Sequence, residues 1–388
     1  MGGLVAFGVV SLILGGCAPH ARPINAQAIT AHTETEEAAL AKRVKAFDDP
    51  RLVDYLATIA GRLVPSGAAA PRITVIEDPT LAAFALPNGR LYVHTGLLSR
   101  VENEAQLATI LARELAHSTT GHARGAGGAS ALAARAMRGP LPHGDLSPTA
   151  AAILGLDLRL TAAAAISGRG ADREREADAE GLSRLTDAGY DGQQALKIFQ
   201  RLAAEGPDRG PLEIFFYGNR PRMGERYEAV RELLRATGPT GASAAADVAG
   251  GPVFEQRTRG VVRDNAVLDM RAGRFGLAQE QLERVLGDNP RDPIAQRHYG
   301  DLYRLRSQRV GGPERAAYVR EALARYVRAL ELDPSYVEPV RQLGLLYYQE
   351  RDVAKARWAF ERYLALVPDA ADARRIREYL SVVGEHRP

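Results

Sequence analysis

The residues with most chemistry to offer lie in the run Arg113-Glu114-Leu115-Ala116-His117. A histidine at position 113 would complete H-E-x-x-H. In that motif two imidazoles one helical turn apart hold zinc, and the glutamate activates a metal-bound water. About sixty residues later Glu174 and Asp178 stand at i and i+4, which puts both carboxylates on one helix face. Arginine at 113 breaks the set, because a guanidinium stays protonated and does not ligate a cation. Of the motif's two histidines only His117 remains. His122 follows His117 by five positions, about 140° further round a helix, so the two do not chelate one ion. His94 and His143 are read as surface residues rather than replacement ligands.

Several elements must position these groups. Arg72-Ile73-Thr74-Val75-Ile76 reads as a short strand. Phe84-Ala85-Leu86 and Leu91-Tyr92-Val93 flank Pro87-Asn88-Gly89, a hairpin turn signal. Leu107, Ile110, Leu111 and Leu115 recur at helical spacing and give the motif helix one buried face. Residues 125–170 are rich in Ala and Gly, with a loop expected around Gly139 to His143. A second helix is expected from Ala171 to Leu185, ending near Ala188-Gly189. The run from Thr237 to Pro252 has linker composition, and a domain boundary is placed there.

Beyond that boundary the chain repeats. Counting Val337 as position one, Leu343-Gly344 fall at seven and eight, Tyr347 at eleven, Ala356 at twenty, Phe360 at twenty-four and Pro368 at thirty-two. The preceding unit carries Tyr299-Gly300, Tyr303, Ala322, Tyr326, Ala329 and Pro334, with about ten extra residues around Gly311-Gly312-Pro313 expected to separate its helices. A weaker third unit shows Gly273, Ala278, Leu282 and Pro290. The pattern resembles the tetratricopeptide repeat: helix pairs with small residues at close crossings and rings in the holes, stacked because one pair cannot bury its face alone. Such a stack offers a concave binding groove and no chemistry.

The N-terminus reads as an address. Leu4 to Leu14 is apolar but shorter than the ~20 residues that span a bilayer. Leu14-Gly15-Gly16-Cys17 follows and resembles a bacterial lipobox, with Cys17 as the lipidated first residue of the mature chain; an ordinary secretory signal is the alternative. Met1-Gly2-Gly3 lacks the usual basic residues, and Ala18 in place of Asp points to the outer membrane. Cys17 is the single cysteine, so no intrachain disulfide and no multi-cysteine metal site can form. Fifty basic residues against 47 acidic ones leave a formal charge of +3, mostly alternating along helices, which gives no reason to invoke nucleic acid.

Taken with Phe84 to Gly89, Gly96-Leu97-Leu98, Phe216 to Pro221 and Glu225-Arg226, the two helices resemble the gluzincin metallopeptidase family of the CAAX prenyl protease and the bacterial beta-barrel assembly-enhancing protease (peptidase family M forty-eight), over roughly residues 36–235. The resemblance implies Glu114 as general base, His117 and Glu174 as zinc ligands, and Asp178 as the partner that orients His117. The first-ligand position is Arg113, a later family histidine is Arg220, and Ala82 stands where members often carry Asn.

The expected fold is therefore mainly α with a small β-hairpin: a gluzincin-like α+β domain followed by an α-helical tetratricopeptide solenoid. The expected divisions are a signal peptide (1–16), a tether (17–35), a metallopeptidase-like domain (36–236), a linker (237–255) and repeats (256–388). Without metal, Glu114, Glu174 and Asp178 would crowd up to three carboxylates into one cleft, and Arg113 and Arg220 bring two fixed positive charges in place of the lost zinc. Three functions stay open. One is a non-hydrolytic pseudoprotease adaptor on the periplasmic side of the outer membrane. It would bind unfolded or assembling outer-membrane proteins alongside their assembly machinery, with the strand near Leu91 to Val93 pairing with an extended peptide. Another is an active zinc endopeptidase in envelope quality control, and the last is a scaffold in which only the repeats matter. Zinc is the cofactor if the chain is active, and none is implied otherwise.

Overall fold

The computed structural model describes residues 37–38, 41–42, 44–85, 89–119, 170–204, 220–237 and 251–385. Cys17, His122, His143 and the loop expected near Gly139 lie outside them. Helix α1 (Pro50–Arg62) begins where Asp49 caps it, its carboxylate accepting from Leu52 N at 3.1 Å, with proline at the first helical position. Leu52, Leu56, Ile59 and Ala60 form its buried stripe.

A three-stranded sheet follows, in the order β1 (Ile73–Ile76), β3 (Leu91–His94), β2 (Ala83–Ala85). The hairpin forms as its sequence predicts, with Ala83 opposite Val93, Phe84 opposite Tyr92 and Ala85 opposite Leu91. β3 also pairs in parallel with β1, Ile73 opposite Leu91 through Ile76 opposite His94. The strand expected to receive a peptide is thus central, with both edges occupied and all four residues buried. The outer strand is β2. On the far side of β1, Phe47 N donates to Val75 O and Glu77 N to Lys45 O, which closes that edge.

A short helix α2 (Thr95–Leu98) turns the chain into α3 (Glu104–Thr119), the motif helix. Glu104, 3% exposed, accepts from the Tyr55 hydroxyl, from Arg62 Nη1 at 2.7 Å and from the Tyr190 hydroxyl at 2.7 Å, so one carboxylate ties α1 to the start of α3. Helices α4 (Gly170–Asp187), α5 (Gln193–Ala204) and α6 (Arg220–Thr237) complete this half. α3 and α4 cross in backbone contact: a Cβ on Gly181 would sit 3.0 Å from both N and Cα of Arg113. A larger residue there would push apart the two helices that carry the motif.

The repeats are the pairs α7 (Gly251–Arg271) with α8 (Phe275–Asp288), α9 (Pro293–Ser307) with α10 (Gly312–Leu332), and α11 (Val337–Gln349) with α12 (Val353–Leu366). Helix α13 (Ala373–Glu385) follows them. The small-on-ring contacts are present: a Cβ on Gly300 would fall 2.6 Å from the Tyr326 ring, and one on Gly344 2.6 Å from the Phe360 ring. The extra residues near Gly311 make no long loop. They lengthen α10 to 21 residues, and Gln308 to Gly311 alone join it to α9.

α7 begins inside the stretch expected to be linker, and its Phe254, Val261, Val262, Ala266 and Met270 belong to the same buried core as Leu52, Val93 and Leu111. Among the described residues no helix is long and apolar enough to cross a membrane.

Candidate active site

Arg113 and Glu114 on α3 are 4% and 5% exposed, and Asp178 on α4 is 5% exposed. Arg226, on α6, is 7% exposed; burying four ionised side chains is tolerable only if each is paired, and the pairing here is dense. Arg113 Nε donates to Asp178 Oδ1 at 3.2 Å, and Arg113 Nη1 donates to Glu114 Oε1. Arg226 on α6 takes the other side of Asp178, Nε to Oδ2 at 2.8 Å and Nη2 to Oδ1 at 2.7 Å, a bidentate fork. Its guanidinium lies over the Phe199 ring of α5, 4.8 Å from the centroid. Two arginines and two carboxylates therefore neutralise one another across α3, α4 and α6.

This arrangement does not fit a catalytic zinc. The first-ligand position projects a cation, which repels a metal ion. The same guanidinium holds Glu114, the residue that would have to take a proton from water, and Asp178, which would have to orient His117. Among the described residues no group of three or more His, Cys, Asp or Glu is placed to hold a metal.

The structure brings together Arg113, Glu114 and Asp178. His117 lies one turn along α3 and is half-buried. Glu174 and Arg220 fall on α4 and at the start of α6, with their side chains outside the described set. The second arginine on Asp178 is Arg226. In the sequence it simply follows Glu225, with no local signal that it would reach α4. His94 is a correction: it is fully buried, its Nδ1 2.9 Å from the Thr80 hydroxyl and 3.6 Å from Asp78 Oδ1. Burial pushes the Asp78 carboxyl up, but hydrogen bonding from His94 and Thr80 outweighs it and holds the group below the usual carboxylate range.

Fold and site together define a helical metallopeptidase-type domain whose ligand position is an arginine, joined to helical repeats. Residues 50–240 match Peptidase family M48 and residues 315–381 match a tetratricopeptide repeat family, so the chain carries a peptidase M48 domain with C-terminal tetratricopeptide repeats. A putative beta-barrel assembly-enhancing protease of Vibrio cholerae is 31% identical over 171 residues, 41% of this chain and 34% of that protein. The beta-barrel assembly-enhancing protease of Yersinia pestis is 30% identical over 162 residues, 40% of this chain and 33% of that protein. Human mitochondrial metalloendopeptidase OMA1 is 45% identical over 51 residues, 13% of this chain and 10% of that protein. The matched segment thus spans about a third of the length of the two bacterial relatives.

Proposed function

We propose that this protein is a pseudoprotease: a peptidase-fold adaptor that binds unfolded or assembling outer-membrane proteins without cutting them. One observation carries the reading. The Arg113 guanidinium stands where a metal ligand would be and engages both Glu114 and Asp178, so the base and the orienting carboxylate are held in ion pairs. The bacterial relatives are beta-barrel assembly-enhancing proteases, which supports outer-membrane proteins as clients and their assembly machinery as partner. The periplasm and the outer membrane are the proposed location, with a lipid anchor at Cys17. The domain divisions 36–236 and 256–388 remain a working scheme, with α7 and α8 serving both halves.

Peptide capture is assigned to β2 rather than β3. His94 N donates to Ala82 O, so by antiparallel alternation Phe84 bonds to β3, and the N–H and C=O groups of Ala83 and Ala85 face the other way. Ala83 is fully buried and Ala85 half-buried, so an extended client segment would pair from Ala85 outward. The test is incubation of chain lacking residues 1–17 with unfolded casein and with an unfolded porin. Binding without new fragments, unchanged by zinc or by Glu114→Gln, is the expected result. Zinc-dependent fragments that vanish in Glu114→Gln would restore the endopeptidase reading.

A further inference from the structure

The buried polar network between α2 and the first repeat pair has no part in the site described above, yet it is more completely enclosed. Arg100, 2% exposed, donates through Nη1 to Asp269 Oδ2 on α7 at 3.0 Å, and Asp269 is fully buried. The same carboxylate accepts from Asn265 Nδ2 at 3.0 Å, from Gln281 Nε2 and, on Oδ1, from Arg274 Nε at 2.7 Å. Asn265 Oδ1 lies 2.8 Å from the Thr95 hydroxyl, which is also 3.0 Å from Asp78 O. An enclosed carboxylate with this many donors fixes geometry, because any displacement leaves a charge or an amide unpaired.

Arg274 is the member of the network that reaches outward. It follows Gly273, whose φ of +75° makes the tight α7–α8 turn, and its Nη2 donates to Pro79 O at 2.9 Å. Pro79 belongs to the short segment that leads from β1 into β2. That segment is held from below as well: Gly96 N donates to Asp78 O at 2.9 Å, and a Cβ on Gly96 would lie 2.3 Å from Pro79 C and O. Thr80 N and Oγ1 both bond Asp78 Oδ1, at 2.9 and 2.6 Å, and Thr80 Oγ1 meets His94 Nδ1 at the end of β3. Three residues after Pro79, Ala82 O accepts from His94 N and strand β2 begins.

We propose that Arg274 is a positioning residue for the peptide edge: the repeat array, through this side chain beside the Asn265–Thr95 contact, sets where β2 lies against β3. The proposal rests on the assignment of peptide capture to β2, but its structural half can be read with no client present. A pull on the α7–α8 turn, such as a client engaging the repeats would exert, changes the seat of Pro79 and with it the outer strand. The array then acts on the edge directly and does more than raise local client concentration.

The experiment is hydrogen–deuterium exchange on the full chain, comparing wild type, Arg274→Ala, Arg274→Met and Arg284→Ala. Arg284 is the control because it crosses the same interface, its Nη1 donating to Ser99 O at 3.3 Å and Val101 O at 3.0 Å, without touching the β1–β2 segment. The account expects the His94 and Phe84 amides to exchange about ten-fold faster in both Arg274 variants and within about two-fold of wild type in Arg284→Ala. Casein affinity should weaken several-fold in the Arg274 variants alone. Unchanged exchange in the Arg274 variants, or an equal rise in Arg284→Ala, overturns the proposal. Absence of casein binding in wild type would instead count against the capture assignment and leave the exchange result to decide the role of Arg274.

Discussion

The cleft and the repeat array bury side chains of opposite kinds. In the array small residues meet rings, as Gly300 meets Tyr326 and Gly344 meets Phe360, and the buried ionisable groups are few, His298 and Asp301 among them. Arg263, Arg297 and Arg341 share the fifth repeat position, and each reaches the residue that opens the next helix pair or the final helix. They contact Asp292 at 3.5 Å, the Tyr336 hydroxyl at 3.1 Å and Asp372 at 2.5 Å. In the cleft the buried groups are the charges themselves. The difference teaches where each half is vulnerable: the array to added volume, the cleft to a lost partner. The interface between them combines both, with an apolar core around Phe254 and the enclosed Arg100–Asp269 pair.

The largest effect should come from treating the halves as separable. Removing residues 253–388 strips Phe254, Val261, Val262, Ala266 and Met270 from the common core and leaves Arg100 without Asp269. The remaining fragment should lose cooperative thermal unfolding altogether. A sharp transition near that of the intact chain would show that the peptidase-type half stands alone.

Next is Asp178→Ala, which deprives two buried guanidinium groups of their shared partner and should cost about 3–5 kcal/mol by denaturant titration. Arg226→Ala should cost more than Arg220→Ala, since Arg226 makes the fork onto Asp178. The reverse order would return the charge compensation to Arg220. On the array side, Gly344→Ala forces a methyl into the Phe360 ring and should cost about 1–3 kcal/mol while leaving the cleft intact.

The smallest effect separates the halves by acid. Burial holds the His298 imidazole below its ordinary value, outweighing the help it receives from Asp301. The unfolded chain therefore takes up that proton first, from about pH 6.5, so stability falls as pH drops below that value. Burial pushes Asp301 up, but His298, Arg297 and Tyr326 together hold it low, so its contribution persists above about pH 4 and is lost as pH falls further. Melting temperature should decline between pH 7 and 5, and less steeply in His298→Gln. Equal slopes would mean that His298 is not the titrating group.

The array was the more legible half, because a repeat's signature residues are the ones that touch each other. Spacing alone therefore placed Leu343, Gly344 and Phe360. The hairpin and motif helix were legible for a similar reason, since turn chemistry and apolar periodicity are local. What spacing could not show was pairing across distance. Arg226 reaches Asp178 from 48 residues away, and Glu104 gathers Tyr55, Arg62 and Tyr190. β1 comes to lie beside β3, which turned the expected edge strand into a central one. His94, polar by type, was placed outside because nothing in its neighbourhood announced Thr80 and Asp78 as partners. Near Gly251 composition alone did not mark where α7 begins, because Gly and Pro open a helix as readily as they interrupt a chain.

The central claim is that an arginine has taken the place of the metal. It is tested most directly by zinc content, measured by elemental mass spectrometry on wild type and Arg113→His purified without chelators and then offered zinc once. The account predicts less than about a tenth of an equivalent in wild type, and a clear rise when histidine restores the first ligand beside His117. Near-stoichiometric zinc in the wild-type chain would contradict it and mean that the site holds metal with Arg113 in place.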